Sequence, residues 1–113
     1  MTATRFGLPE MTVEKIGGVL AENPAVEKAI LYGSRAKGNY KRGSDIDLTL
    51  VGSGLVYRDL LKILDELDDL LLPYTIDLSI LQLIDHAGLL DHIQRVGVVL
   101  YERSPQTQAA QLS

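Results

Sequence analysis

Two aspartates one residue apart, in Asp45-Ile46-Asp47, and a third in Ile76-Asp77-Leu78 are the residues of this chain best suited to chemistry. Side chains alternate along a strand, so Asp45 and Asp47 would share one face, about 6.5 to 7 Å apart along the chain. Asp77 sits in a second alternating segment and would lie about 5 Å to the side if the two strands are neighbours. Three carboxylates converging on one spot would raise one another's pKa values and oppose folding unless a cation sat between them. Hard oxygen ligands with space left for water suit Mg²⁺ or Mn²⁺ better than zinc. Asp45, Asp47 and Asp77 are therefore the expected metal ligands.

A segment suited to anions precedes them. Gly33 closes an apolar run and Ser34 opens a short helix, so free backbone N–H groups and the Ser34 hydroxyl would be directed at an anion. Gly33 also lets the backbone approach a ligand without a Cβ in the way. Arg35, Lys37, Lys41 and Arg42 follow with no acid among them, and ten residues separate Ser34 from Asp45. Taken singly, each feature has an ordinary reading: a wet strand face, a turn, a solvated basic loop. Together at one register they fit a metal-bound triphosphate. Other nucleotide motifs fail, since Gly33 to Gly38 continues with Asn39-Tyr40 where a P-loop needs Lys-Ser/Thr, and Gly52-Ser53-Gly54 continues with Leu55-Val56-Tyr57. His86 and His92 do not share a helix face and read as solvent-facing or capping residues.

The positioning elements follow from periodicity. Thr12, as N-cap, precedes Val13, Ile16, Val19 and Leu20, and Asn23-Pro24 stops this pattern, which predicts a helix over about 12–22. Val26 to Tyr32 reads as a buried strand, Ser34 to Asn39 as a short helix and Tyr40 to Ser44 as a turn. Asp45 to Val51 alternates, with Ile46, Leu48 and Leu50 opposite Asp45, Asp47 and Thr49. Val56 to Leu71 has helical spacing, with Lys62 and Glu66 placed for an ion pair. Thr75 to Leu81 alternates again, a helix is expected over about 86–95, and Val98 to Tyr101 forms a last strand. The fold class is α/β (α+β), a small mixed β-sheet backed by helices.

Composition bounds what this unit does. The chain has 113 residues, 46% of them hydrophobic, which suits one small domain, with an ordered core expected over about 10–103 and a fraying polar tail after Pro105. It contains no cysteine, which excludes disulfides and thiolate zinc sites. No signal-like or membrane-spanning apolar run occurs, so a cytoplasmic location is expected. A net charge of −4 has the wrong sign for a general nucleic-acid binder. Asp65, Glu66, Asp68 and Asp69 form an acidic block that reads as a solvated helix face.

With Leu31-Tyr32 before Gly33-Ser34, ten residues, Asp45-x-Asp47 and then Ile76-Asp77-Leu78, the sequence resembles the minimal nucleotidyltransferases (MNT) of the DNA polymerase β-like superfamily, over about residues 10–102. The resemblance implies the nucleotidyltransferase fold with its carboxylates on an open sheet face. It implies transfer of a nucleoside monophosphate, AMP by expectation, from ATP or another NTP to a hydroxyl, with two Mg²⁺ ions or Mn²⁺ in their place. Asp45 and Asp47 would bind both metals, and Asp77 would complete the site and accept the hydroxyl's proton. Gly33 and Ser34 would hold the β and γ phosphates, and Arg35, Lys37, Lys41 and Arg42 would neutralise pyrophosphate. A chain of this size is similar to the antitoxin half of MNT and HEPN toxin–antitoxin pairs, which implies a helical HEPN ribonuclease partner, a hetero-oligomer and AMP transfer to a partner tyrosine. Leu89, Leu90 and Ile93 are the expected partner face. Two alternatives stay open: a module that neutralises its partner sterically without catalysis, and an enzyme acting on a small hydroxylated molecule with its acceptor domain on another chain.

Overall fold

The computed structural model describes residues 4–103, so the expected fraying of the tail lies outside the described residues. In chain order the elements are β1 (Thr4–Arg5), β2 (Leu8–Pro9), α1 (Glu10–Ala21), β3 (Lys28–Tyr32), α2 (Gly33–Lys37), β4 (Ile46–Val51), α3 (Tyr57–Asp68), β5 (Ile76–Ile80), a 3-10 turn (Leu81–Leu83), α4 (Ala87–Val96) and β6 (Val98–Glu102). The expected mixed sheet is present, in the order β5-β4-β3-β6. β3 runs antiparallel to β4 and β6, whereas β4 and β5 are parallel and joined through α3, as parallel neighbours require a crossover.

One face of this sheet makes the core. Ala29 and Leu31 of β3, Ile46, Leu48 and Leu50 of β4, and Leu78 and Ile80 of β5 meet Val13, Ile16 and Leu20 of α1 and Ile63 and Leu67 of α3. Burying each of the larger side chains contributes about 1.5–3 kcal/mol, so the strand alternation is locked: a one-residue slip would turn this whole set to solvent. The alternation therefore forces Asp47 to the opposite face. That face carries α2 and α4, which pack on each other and on β3.

Helix ends differ from the sequence reading in informative ways. α1 begins at Glu10, two residues before Thr12, with Pro9 in the N-cap position, and Thr12 is buried inside the helix. α2 begins at Gly33 with Tyr32 as its N-cap residue, so Ser34 lies within the first turn, and Gly38 ends the helix in the left-handed region. Thr49 takes the Asp47 face that the alternation predicts, and there it is fully buried and accepts a 2.9 Å hydrogen bond from the Ser79 hydroxyl on β5. Lys62 and Glu66 pair at 3.0 Å as expected, and Asn23 bridges them, donating to Glu66 and accepting from Lys62. These bonds from Asn23 and Lys62 hold the Glu66 carboxyl below its ordinary range.

The ordered structure also starts earlier than position 10. β1 and β2 form a hairpin whose two-residue turn, Phe6-Gly7, has positive φ at both positions, as a type I′ connection requires. Leu8 is completely buried in the core. Phe6 holds a backbone conformation that costs a non-glycine residue about 1–2 kcal/mol, and tertiary contacts must offset it.

Candidate active site

Asp47 and Asp77 occupy directly paired positions on β4 and β5, and Tyr32 of β3 is paired with Asp47 on its other side. The lateral neighbour relation expected between the two aspartates is thus present. Asp45 is exposed and precedes the strand by one residue, and its charge is felt at Asp47. Among the described residues no three carboxylate or imidazole groups are gathered tightly enough to hold an ion as they stand. Of the three carboxylates expected together, Asp47 and Asp77 are a strand-fixed pair and Asp45 stands one residue before β4. The backbone ladder fixes Asp47 and Asp77, whereas Asp45 lies beyond the last rung.

The electrostatics suit a hard divalent cation. Burial pushes the Asp47 carboxyl above its ordinary range, Asp77 and then Asp45 push it further, and His92 opposes them. A surplus of negative charge among oxygen donors, with no thiolate present, is what Mg²⁺ or Mn²⁺ would relieve. Beside Asp47, burial raises the Tyr32 phenol, a hydrogen bond with Ser79 opposes that shift, and Asp77 and Asp47 add to it. Tyr32, Thr49 and Ser79 share the sheet face of the two aspartates, and the Ser79 hydroxyl donates to Thr49.

Gly33, the first residue of α2, lies against Asp47. Its φ is +75°, and a Cβ there would strike Oδ2 of Asp47, so both the backbone conformation and the close approach call for glycine. The Gly33 N–H donates to Nε2 of His92 at 3.2 Å, and the His92 ring stands edge-on to Tyr32, with centroids 6.2 Å apart. The reading of the two histidines as solvent-facing or capping holds for His86, whose Nδ1 accepts the Leu89 N–H at 2.9 Å and caps α4. It fails for His92. Fifty-nine positions separate His92 from Gly33, and no local pattern signals the contact.

The basic residues divide. Arg35, expected among the cations for pyrophosphate, is only 3% exposed. Its Nε and Nη2 donate to the Ser44 carbonyl at 3.1 and 2.9 Å, and its Nη1 donates to the Phe6 carbonyl at 2.9 Å. The rings of Tyr40 and Tyr74 lie 5.3 and 5.1 Å from the guanidinium carbon. Three of its five N–H donors thus go to the hairpin turn and to the residue before Asp45, so Arg35 clamps these two segments together. Lys37, Lys41 and Arg42 are exposed, and none forms an ion pair among the described residues. Lys41 and Arg42 line a hollow of about 340 Å³ together with Arg35, Gly7, Tyr40 and Tyr74, and none of the three aspartates lines it.

The expected partner face also changes. Ile93 is buried at 5% exposure and Leu89 and Leu90 are half-buried, so the three do not form one free apolar surface. α4 turns Ile93 inward because the helix packs on β3. No helix among the described residues is long and apolar enough to cross a membrane.

A mixed sheet presenting paired aspartates beside a glycine turn is the arrangement of a nucleotidyltransferase domain. The family model described as "Polymerase beta, Nucleotidyltransferase" matches residues 14–106, and the chain belongs to that family. No curated protein sequence matches it. Among solved structures it is similar to a chain of a toxin–antitoxin complex with AMP-PNP, at 23% identity and TM-score 0.66, covering 86% of this chain and 78% of that one. It is likewise similar to a chain of the MntA-HepT toxin–antitoxin, at 21% identity and TM-score 0.62 over 91% of this chain and 78% of that one. A third similar chain comes from the complex of a tri-AMPylated Shewanella oneidensis HEPN toxin with its MNT antitoxin, at 21% identity and TM-score 0.63 over 91% of this chain and 77% of that one.

Proposed function

We propose that this nucleotidyltransferase domain transfers AMP from ATP to a hydroxyl of a helical HEPN-type partner, and so acts as the antitoxin of a toxin–antitoxin pair. The observation that carries the reading is the close approach of Gly33 to Asp47, which is itself paired with Asp77 on β5, so that a glycine turn and two strand-fixed carboxylates are neighbours. Similar chains in complexes with AMP-PNP and with an AMPylated toxin support both the nucleotide and the partner.

In this reading the partner's hydroxyl oxygen attacks the α-phosphorus, the bond from that phosphorus to the β-bridging oxygen breaks, and pyrophosphate departs. Asp77, the exposed member of the pair, accepts the hydroxyl's proton. Gly33 and Ser34 hold the β and γ phosphates, and Lys37, Lys41 and Arg42 supply cations to the leaving group. Asp45, Asp47 and Asp77 would hold Mg²⁺ or Mn²⁺, which neutralises charge on the attacking and leaving oxygens when bound. Arg35 acts at a distance, by fixing Ser44 and hence the start of β4.

The test is incubation of the purified protein with Mg²⁺ and α-labelled ATP, with and without its copurifying partner, followed by gel and mass spectrometry. Label on a partner tyrosine, absent with Asp45→Asn and Asp47→Asn, is the expected result. A tight complex that neutralises the partner but transfers nothing from any NTP would show a steric module. Transfer to a small hydroxylated molecule alone would show the other enzymatic class.

A further inference from the structure

His92 has no part in the reaction just described, yet its imidazole is held at the centre of the site. It reaches there from α4, accepts the Gly33 N–H through Nε2 at 3.2 Å, and is braced edge-on by Tyr32. Gly33 is also the residue whose Cα lies against the Asp47 carboxylate. The backbone N–H that would receive a phosphate oxygen beside the carboxylates is therefore already held by a side chain. A single N–H cannot give a good hydrogen bond to an imidazole lone pair and to a phosphate oxygen at once. His92 is half-buried.

We propose that His92 is a triphosphate-binding residue: it accepts the Gly33 N–H when the site is empty, and when a phosphate oxygen takes that N–H, the ring donates Nε2–H to the same phosphate. This rests on the nucleotide-binding reading above. The step needs no change in charge. While Nε2 accepts, the neutral ring carries its proton on Nδ1; the proton leaves Nδ1 to solvent as another joins Nε2, and the acceptor atom becomes a donor. The Gly33 N–H has a partner in both states, so the empty site carries no unpaired amide and the filled one gains a side-chain donor.

The experiment is calorimetric binding of Mg·ATP, Mg·tripolyphosphate and AMP to the wild-type protein and to His92→Ala and His92→Gln. Loss of a hydrogen bond to a charged phosphate should weaken Mg·ATP and Mg·tripolyphosphate about tenfold in the alanine variant. Glutamine, which can both accept and donate, should restore both to within about threefold. AMP, which lacks the β and γ phosphates, should bind all three proteins equally. Unchanged or tighter Mg·ATP binding by His92→Ala overturns the proposal, and so does a matching loss of AMP binding. A second measurement uses the unaltered protein: with ¹⁵N-labelled histidine, the Nε2 signal of His92 should pass from the unprotonated to the protonated range as Mg·ATP saturates the site. An Nε2 that stays unprotonated in the saturated complex overturns it as well. Failure of the wild-type protein to bind Mg·ATP at all would instead defeat the nucleotide-binding reading on which the proposal stands.

Discussion

Replacing Arg35 should damage the fold first and the chemistry second. Its guanidinium donates three hydrogen bonds to two carbonyls, Ser44 and Phe6, and lies between the rings of Tyr40 and Tyr74. None of the ion pairs among the described residues includes it, so the carbonyls and rings hold the charge in place. Arg35→Ala leaves two carbonyls without their donor, at about 1–3 kcal/mol each, and removes the ring contacts, at about 0.5–2 kcal/mol each. Against this stands relief of the cost of burying an isolated cation, several kcal/mol. The net loss should be about 3–5 kcal/mol, a large share of the 5–15 kcal/mol typical of a domain. With a urea m-value of about 1.5 kcal/mol/M, the midpoint would fall by about 2–3 M. Arg35→Lys keeps the charge but cannot span both carbonyls, and should lose about 1–2 kcal/mol. Equilibrium urea unfolding of the three proteins, followed by circular dichroism, measures this. Nucleotide transfer should fall in kcat more than in KM, because a loosened Ser44 misplaces Asp45 and Asp47 without removing a phosphate contact. Wild-type stability in Arg35→Lys, together with weakened inhibition by pyrophosphate, would refute the reasoning and return Arg35 to the phosphates.

Other substitutions test the remaining contacts. Asp47 has its carboxyl raised in the folded state, so the fold binds the proton more tightly than the unfolded chain does, and stability falls as pH rises from the ordinary carboxylate value through the raised one. Asp47→Asn should therefore raise the melting temperature of the metal-free protein at neutral pH, with solvent screening keeping the gain below about 1 kcal/mol, and the gain should vanish near pH 3. In the same calorimetric scans Mg²⁺ should stabilise the wild-type protein and leave Asp47→Asn unmoved; equal stabilisation of both would count against Asp47 as a ligand. Gly33→Ala should cost about 1–2 kcal/mol from its positive φ and abolish labelling by α-labelled ATP, because the new methyl displaces the Asp47 carboxylate. Leu8→Ala empties a fully buried site and should cost about 2–5 kcal/mol in urea unfolding, whereas a change under 1 kcal/mol would show the β1–β2 hairpin to be dispensable.

Local periodicity made most of the fold and the centre of the site legible. The alternation of Ile46, Leu48 and Leu50 with Asp47 settles which way the carboxylate faces, because the buried side of a strand cannot slip without exposing its whole apolar set. The helical spacing of α3 is equally local, and its central residues Ile63 and Leu67 are buried as that spacing predicts, although Val56 and Leu71 at its two ends are exposed. What the sequence left open are contacts between distant segments. Asp45 and Asp47 look equivalent in the motif, but only the ladder decides that Asp47 is fixed beside Asp77 while Asp45 stands outside it. Arg35 reads as one more cation in a basic run, and becomes a clamp because Phe6 and Ser44, far apart in the chain, both turn carbonyls toward it. His92 reads as a surface histidine until α4 folds over β3 and delivers its imidazole to Gly33. Spacing along a chain encodes which face a side chain takes, through the periods of helix and strand; which partner waits on that face depends on how the elements pack, and that is settled only when the whole core closes.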